Sequence, residues 1–259
     1  GLAPNDFEAA LQDNTKVIYI ETPSNPLLTI TDLKAVGTIA KKAGIVSMID
    51  NTFASPVNQN PADFGIDVII HSATKYMGGH SDICAGAVAA SQAHIDQVFR
   101  LAKNFGGSLS DYTVWLLERS MKTMGIRVKA QNENAMEMAT YLEGHPEVAK
   151  VYYPGLKSHP DHALAAAQMS GFGGMLSFEL KEGLDASAFQ KALQLIKPSM
   201  SLAGIESTLL SPTLTSHALL SPEERKHQGI ADGLIRFSVG IEEVEALQSD
   251  IDQAIKSLL

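Results

Sequence analysis

The sequence predicts an α/β protein with a mainly parallel sheet, followed by a smaller unit that mixes helices and strands. In the first half, short apolar runs of strand length alternate with helical patterns. This alternation is typical of a parallel sheet covered by helices on both faces. The pattern of segments changes after His145-Pro146. The 259 residues, of which 45% are hydrophobic, suffice for one large domain or two modest ones.

Four short apolar runs are predicted as the strands of the first sheet. They span residues 17–20, 45–49, 67–71 and 86–90. The first run continues into Glu-Thr-Pro-Ser-Asn-Pro, a composition typical of a loop, and the second ends at Asp50. Because ligands of such sheets bind outside the carboxyl ends of the strands, the polar residues that follow these runs are the first candidates for chemistry.

Capping residues and helical periodicity predict the remaining elements. Thr31 or Asp32 is expected to cap a helix that Gly44 ends, and a longer helical pattern from Asp111 breaks near Gly125. The second unit is predicted to contain strands at 148–152, 174–180 and 234–239 and helices at 161–170, 185–195 and 244–258.

The boundary between the two units is predicted near Ile126, within the helical pattern that begins at Asp111. Residues 1–126 are therefore assigned to the carboxyl-terminal part of a large domain. Residues 127–259 are assigned to a carboxyl-terminal small domain.

Charge and cysteine content narrow the classes of partner. The net charge is −9 and the basic residues form no long run, which argues against nucleic acid and against an anionic membrane surface. Cys84 is the only cysteine, so a reducing, cytoplasmic location is expected. No apolar stretch is long enough to cross a bilayer. The start, Gly-Leu-Ala-Pro-Asn, is expected to lie inside a longer protein.

The segment from Val68 to His80 is the strongest candidate for chemistry. Lys75 follows an apolar strand and is preceded by the hydroxyls of Ser72 and Thr74. A partly desolvated lysine loses its proton more easily and becomes a nucleophile for an aldehyde. Neighbouring hydroxyls can bind a phosphate beside it. Taken alone, however, a solvated lysine in a turn is the simpler interpretation.

Asp50 supports a functional role for Lys75 over that of a solvated surface lysine. It ends the second apolar run and precedes Asn51 and Thr52. A carboxylate in this position can pair with a protonated pyridine nitrogen and so keep the ring able to accept electrons. A lysine combined with such an acid is a mark of pyridoxal-phosphate (PLP) sites. The alternative is a helix cap or a turn residue, and the two residues together favour a PLP site only modestly.

Four ordered segments strengthen this interpretation: residues 21–26 (Glu-Thr-Pro-Ser-Asn-Pro), 49–52 (Ile-Asp-Asn-Thr), 72–82 (Ser-Ala-Thr-Lys-Tyr with Gly-Gly-His-Ser-Asp) and 234–242 (Leu-Ile-Arg-Phe-Ser-Val-Gly-Ile-Glu). In order and spacing they resemble the Cys/Met-metabolism (trans-sulfuration) family of PLP enzymes. The resemblance runs from about residue 15 to the carboxyl terminus. It implies a fold-type I, aspartate-aminotransferase-like large domain followed by a smaller α+β domain.

The resemblance also implies roles for individual residues. Lys75 is expected to carry the PLP cofactor covalently and to act as the catalytic base. The other expected cofactor contacts are Asp50 at the pyridine nitrogen, Ser72 and Thr74 at the phosphate, Asn25 near the phenolic oxygen and Thr52 near the ring.

The substrate side of the site is implied in the same way. Arg236 matches the arginine that binds the substrate α-carboxylate, a role suited to its planar fork. Ser201, Ser216 and Met200 are expected in the same pocket. An arginine in an apolar strand could instead pair with a carboxylate in the core. The histidines near these segments are interpreted as structural, and no metal site is expected.

The implied function is a PLP-dependent carbon–sulfur lyase that acts on a small sulfur amino acid, cystathionine or methionine. Met200 stands where cystathionine γ-synthases and γ-lyases often carry glutamate, which favours a lyase for an apolar or smaller substrate. Asn104 instead favours the cystathionine γ-enzymes. A cystathionine γ-synthase or O-acylhomoserine sulfhydrylase stays an alternative. A nucleotide-binding enzyme is disfavoured because no strand is followed by a glycine-rich phosphate loop of the usual spacing.

Members of this family are usually longer at the amino terminus. The additional part supplies a phosphate loop, a stacked aromatic residue, and a tyrosine and an arginine that reach a neighbouring subunit. If that part is absent, PLP is expected to bind weakly or not at all, and a catalytically silent fragment is a further alternative. The resemblance implies a homo-oligomer, either a dimer or a tetramer.

Overall fold

Two separate sheets, one in each half of the chain, organise the structure. The computed structural model describes residues 3–215 and 221–259. The first sheet contains, in spatial order, strands β1 (Val17–Glu21), β2 (Val46–Asp50), β3 (Val68–Ser72) and β4 (Gly86–Ala90). The first three strands are parallel, and β4 runs antiparallel to β3. The predicted α/β class with a mainly parallel first sheet is confirmed.

The helices of this half are α1 (Pro4–Ala10), α2 (Leu33–Ala43), α3 (Ser55–Asn58) and α4 (Gln92–Phe105), with a 3₁₀ turn at Pro61–Phe64. Asp32 caps α2 by accepting the Ala35 N–H at 2.9 Å. Gly44 ends α2 in the left-handed conformation, as predicted. The apolar side of α2 covers one face of the sheet, with a core of Ile18, Ile20, Leu33, Val36, Ile39, Ile49 and Ile69.

In the part of the chain that the structure describes, the opposite face of the first sheet is largely uncovered. The register places Tyr19 of β1 beside Met48 of β2. Val17 and Tyr19 are 41% and 56% exposed, and Val88 of β4 is also exposed. Parallel sheets are normally buried on both faces, so this half of the chain departs from the predicted two-sided covering.

The second sheet contains β5 (Val148–Tyr152), β6 (Met175–Leu180), β7 (Lys197–Pro198), β8 (Thr208–Leu210) and β9 (Leu234–Ser238), in the spatial order β5-β6-β9-β8-β7. Its central strands, β6 and β9, are antiparallel. The sequence pattern does not predict β7 and β8, because strands of two and three residues are too short to show a period.

The helices of the second half are α5 (Asp111–Met121), α6 (Met124–Glu143), α7 (His162–Gln168), α8 (Ala186–Ala192), α9 (Pro222–His227) and α10 (Val244–Lys256). The break predicted near Gly125 lies earlier, at Lys122 and Thr123, whose N–H groups bond three residues back to Arg119 and Ser120. The core between α6, α10 and the second sheet includes Met138, Leu142, Phe178, Phe237, Leu247 and Ile251.

The two halves are joined by buried polar contacts. Gln168 at the end of α7 donates to the Thr31 carbonyl at 3.1 Å, and Ser177 of β6 donates to the Pro26 carbonyl at 2.7 Å. Ile126, at which the domain boundary was predicted, lies in the first turn of α6. Among the described residues, no helix is long and apolar enough to cross a membrane.

The Asp250 carboxylate anchors α10 to the segment before β7. It is 5% exposed and accepts the N–H groups of Gln194, Leu195 and Ile196 at 2.8, 2.9 and 2.8 Å. Asp250→Ala leaves these amides without an acceptor, so we expect the free energy of unfolding in urea to fall by about 3 kcal/mol. Glu245→Ala, at an exposed position of the same helix, should change it by less than about 0.5 kcal/mol. Equal effects of the two substitutions would contradict this anchoring role.

Candidate active site

Lys75 lies in the turn that follows β3. Its backbone N–H donates to the Ser72 carbonyl at 3.0 Å, and the Gly79 N–H donates to the Lys75 carbonyl at 2.7 Å. Gly79 has a φ of 69°, in the region that favours glycine. The Lys75 side chain is half-buried, and its Nζ lies 3.4 Å from Ser201 Oγ. The turn therefore directs the amine from the first sheet toward a segment of the second half.

The surroundings of Lys75 favour its neutral amine. Burial is the largest cause that lowers the pKa of Lys75, and the positive charge of Arg236 lowers it further, whereas Cys84 acts in the opposite direction. The neutral amine is the form that attacks an aldehyde or accepts a proton. The environment of Lys75 thus differs from that of a freely solvated surface lysine.

Asp50 and Thr52 connect the ends of β2 and β3. Asp50 lies opposite Ile70 in the parallel register. Its Oδ1 accepts the Thr52 N–H at 2.9 Å, and Thr52 Oγ1 accepts the Ser72 N–H at 2.8 Å. The bond to Thr52 agrees with the turn role considered for Asp50. Within the described residues, Asp50 Oδ2 and the Ser72 hydroxyl make no hydrogen bond, so both can bind a ligand.

The Thr74 hydroxyl is already engaged. It accepts the Ala85 N–H at 2.9 Å and lies 3.3 Å from the Ala85 carbonyl, to which it donates. These bonds tie the lysine turn to the residue before β4. A phosphate contact by Thr74 stays a prediction, and it requires the hydroxyl to redirect its proton from Ala85.

Arg236 is the buried cation of the site. It lies in β9 and is 5% exposed. Its Nη1 donates to Asn25 Oδ1 at 3.3 Å and its Nη2 donates to the Met200 carbonyl at 3.1 Å. Burial lowers the pKa of Arg236 to about 10. No carboxylate among the described residues forms an ion pair with it, so its charge is available to an anionic ligand.

Most of the predicted site residues lie in two linked groups. One group runs from the amine through the serine to the arginine and contains Lys75, Ser201, Met200, Arg236 and Asn25. The other contains Asp50, Thr52 and Ser72, and the lysine turn joins it to the first. Met200 contributes its carbonyl, while its side chain is 68% exposed. Ser216 lies outside the described residues.

Two residues that sequence analysis did not select also shape the site. Glu21 Oε1 accepts the Asn25 N–H at 2.9 Å, and burial raises the pKa of Glu21. Ser238 Oγ accepts the Ala203 N–H at 2.7 Å and so holds the segment after Ser201. The strand-end rule that selects Asp50 also applies to Glu21, whereas no sequence pattern pairs Ser238 with Ala203.

The chemistry of these groups fits PLP and an amino-acid substrate. Lys75 supplies an amine for the aldehyde, Asp50 an unused carboxylate oxygen for a pyridine nitrogen, and Ser72 an unused hydroxyl for a phosphate. Arg236 supplies a cation for a carboxylate. In residues 3–215 and 221–259, no three His, Cys, Asp or Glu side chains are grouped as metal ligands would be.

Comparisons with known proteins agree with this chemistry. The profile of the family described as Cys/Met metabolism PLP-dependent enzyme matches residues 1–256. The chain is 46% identical over 254 residues to cystathionine gamma-lyase of Bacillus subtilis (strain 168), covering 98% of this chain and 67% of that protein. It is 44% identical over 253 residues to cystathionine beta-lyase of Lactococcus lactis subsp. cremoris (strain MG1363), covering 97% and 67%.

The fold is shared with a solved structure. The crystal structure of cystathionine gamma-lyase from Lactobacillus plantarum, complexed with L-serine, matches with a TM-score of 0.94 at 43% identity. That match covers 97% of this chain and 66% of the other. The chain therefore spans about two thirds of the length of these relatives.

Removing the Arg236 cation should raise the pKa of Lys75, because a nearby positive charge disfavours the protonated amine. We expect Arg236→Met to move the midpoint of Lys75 acetylation to higher pH, measured by acetic anhydride labelling and mass spectrometry. The midpoint should stay below that of exposed lysines, since burial remains. Arg100→Met, at an exposed position of α4, is the control and should have no effect. An unchanged or lower midpoint in Arg236→Met would show that the two charges do not interact.

Proposed function

The chain belongs to the family of Cys/Met metabolism PLP-dependent enzymes, and on this basis we propose that it acts as a carbon–sulfur lyase on sulfur-containing amino acids, cystathionine or methionine. The recognition of this family from four sequence segments is confirmed. The observation that carries the proposal is the half-buried amine of Lys75, whose pKa is lowered by burial and by the buried cation of Arg236.

PLP is the cofactor of this family. When bound, it supplies an electron-accepting ring that stabilises a carbanion on the substrate. In the proposed site, Lys75 would hold its aldehyde and Asp50 its pyridine nitrogen. The remaining contacts would come from Ser72 and Thr74 at the phosphate, and from Asn25 and Thr52 around the ring.

Lys75 is the proposed base for the substrate α-proton. Its lowered pKa increases the fraction of neutral amine at a given pH, so Nζ can accept that proton. Ser201 Oγ, 3.4 Å from Nζ, can accept a hydrogen bond from the resulting ammonium. Arg236 binds the substrate carboxylate through its planar fork, which orients the bonds at the α-carbon. Elimination from the β-carbon needs only this first proton transfer, whereas elimination from the γ-carbon needs a second one.

Two residues give opposite indications about the substrate within this class. The backbone carbonyl of Met200 accepts a hydrogen bond from Arg236. The apolar side chain of Met200 favours a substrate with an apolar or small distal end. Asn104 favours the cystathionine γ-enzymes, so a cystathionine γ-synthase or O-acylhomoserine sulfhydrylase reaction is the second candidate.

We also propose a homo-oligomer. Helices α4 and α5 carry large apolar side chains that are more than half exposed, which supports a contact surface that includes these helices: Phe99, Phe105, Tyr112 and Trp115. A cytoplasmic location is proposed from the free thiol of Cys84.

Lys75→Ala tests the proposed role of the amine. With PLP added to the purified full-length protein, we expect the wild type to absorb visible light and to release thiol from cystathionine or methionine. Lys75→Ala should lose the absorbance and at least about 1,000-fold in rate, since both the cofactor link and the base are removed. Lys129→Ala, at an exposed position of α6, should behave as the wild type. A colourless wild-type protein would instead support the silent-fragment alternative.

Three substrate sets distinguish a lyase reaction from a synthase reaction. Purified full-length protein is incubated with cystathionine, with methionine, and with O-succinylhomoserine plus cysteine. We expect pyruvate or 2-oxobutyrate with at least one of the first two substrates. Formation of cystathionine from the third mixture, without any lyase product from the others, would overturn the lyase proposal.

A further inference from the structure

Arg127 is a buried cation that the proposed mechanism does not use. It lies on α6 and is 6% exposed. Its guanidinium donates to the carbonyls of Tyr76 at 2.9 Å, Met77 at 3.4 Å and Ser120 at 2.9 Å, and its Nε donates to Thr123 Oγ1 at 3.1 Å. No carboxylate among the described residues forms an ion pair with it. Neutral carbonyl and hydroxyl oxygens thus satisfy this charge.

Two of these acceptors belong to the turn that carries the catalytic amine, because Tyr76 and Met77 directly follow Lys75. Gly79 closes the same turn and allows the guanidinium to approach. A Cβ at Gly79 would lie 1.9 Å from Arg127 Nη1, a separation that leaves no room for a side chain. The backbone of the turn therefore packs directly against the guanidinium, and this packing requires glycine at position 79.

The same side of α6 contacts two other segments of the site. Gln131, one turn further along the helix, donates to the Gly204 carbonyl at 2.7 Å. Asn134 donates to the carbonyls of Gly240 at 3.2 Å and Glu242 at 2.8 Å. Positions four and seven residues apart share a helix face. This face connects the lysine turn, the segment after the site serine and the segment after the strand of the site arginine.

We propose that Arg127 is a positioning residue, which holds the Lys75 turn so that the amine faces Ser201 and Arg236. The inference rests on the proposed function, in which Lys75 is the reacting amine. The planar guanidinium spans several carbonyls at once, a geometry that a lysine ammonium reproduces only in part. A merely structural role would lower stability without changing the environment of the Lys75 amine.

The titration of the Lys75 amine distinguishes these two roles without any cofactor. The protein is reductively methylated with ¹³C-formaldehyde, and the dimethyl-Lys75 signal is followed by NMR against pH. Arg236 is a neighbouring cation that lowers the pKa of Lys75. Thr123→Val keeps the Arg127 charge and removes only the acceptor of its Nε, so an upward shift in both Arg127→Met and Thr123→Val reports movement of the turn rather than the loss of a charge.

We expect Arg127→Met to move the Lys75 titration upward, toward that of exposed lysines, as the amine becomes solvated. Labelling of Lys75 by PLP and borohydride, counted by mass spectrometry, should fall by about 10-fold, the effect of one lost charged hydrogen bond. Compared with Arg127→Met, Arg127→Lys should give a smaller rise of the Lys75 titration midpoint and a smaller loss of PLP labelling. Arg119→Met removes the same charge from an exposed position of α5 and should change neither.

An unchanged Lys75 titration in folded Arg127→Met overturns the proposal, even if the melting temperature falls. If far-UV circular dichroism shows that this variant does not fold, Arg127→Lys and Thr123→Val decide, since the latter removes only the acceptor of Nε. Both should give smaller upward shifts, and the absence of a shift in both overturns the proposal. If wild-type Lys75 takes up no PLP but its titration responds to Arg127→Met, the proposed function fails while the positioning role stands.

Discussion

The parallel, in-register pairing of β1, β2 and β3 is the constraint on which the site depends. Glu21, Asp50 and Ile70 lie side by side across these strands, so the loops that follow them meet at one edge of the sheet. A shift of one residue in β2 would turn Asp50 to the face covered by α2. Burial of Ile18 and Ile49 against that helix opposes the shift. The hydrophobic core thus determines where the carboxylate points.

The second half of the chain contributes a buried cation, Arg236, to the site at this edge of the sheet. Burying Arg236 without a carboxylate is costly, and neutral oxygens from Asn25 and Met200 compensate in part. The same charge lowers the pKa of Lys75. In the proposed mechanism, one unpaired cation therefore both binds the substrate anion and favours the neutral form of the neighbouring amine. The Ser177 bond to the Pro26 carbonyl helps to hold the two halves in register.

Residue type and hydrophobic period predicted the features that depend on residues close together in the sequence. The cap at Asp32, the strands of the first sheet, and the places of Lys75 and Asp50 after strand ends follow from residue type and period. The contact of Arg127 with Tyr76 could not be predicted, because its acceptor is a backbone carbonyl 51 residues away that any residue type provides. The uncovered face of the first sheet was also missed, since an apolar strand gives no indication of which of its faces is covered.

The open edge of the first sheet, at β1, has a consequence for the protein in solution. In the part of the chain that the structure describes, β1 is an edge strand with a Val-Ile-Tyr-Ile sequence, and its backbone groups have no neighbour on the outer side. Such an edge is a template on which another copy can add a strand. The net charge of −9 keeps copies apart at low ionic strength, and salt screens that repulsion. The net charge of the chain therefore opposes such pairing between copies, and added salt weakens that opposition.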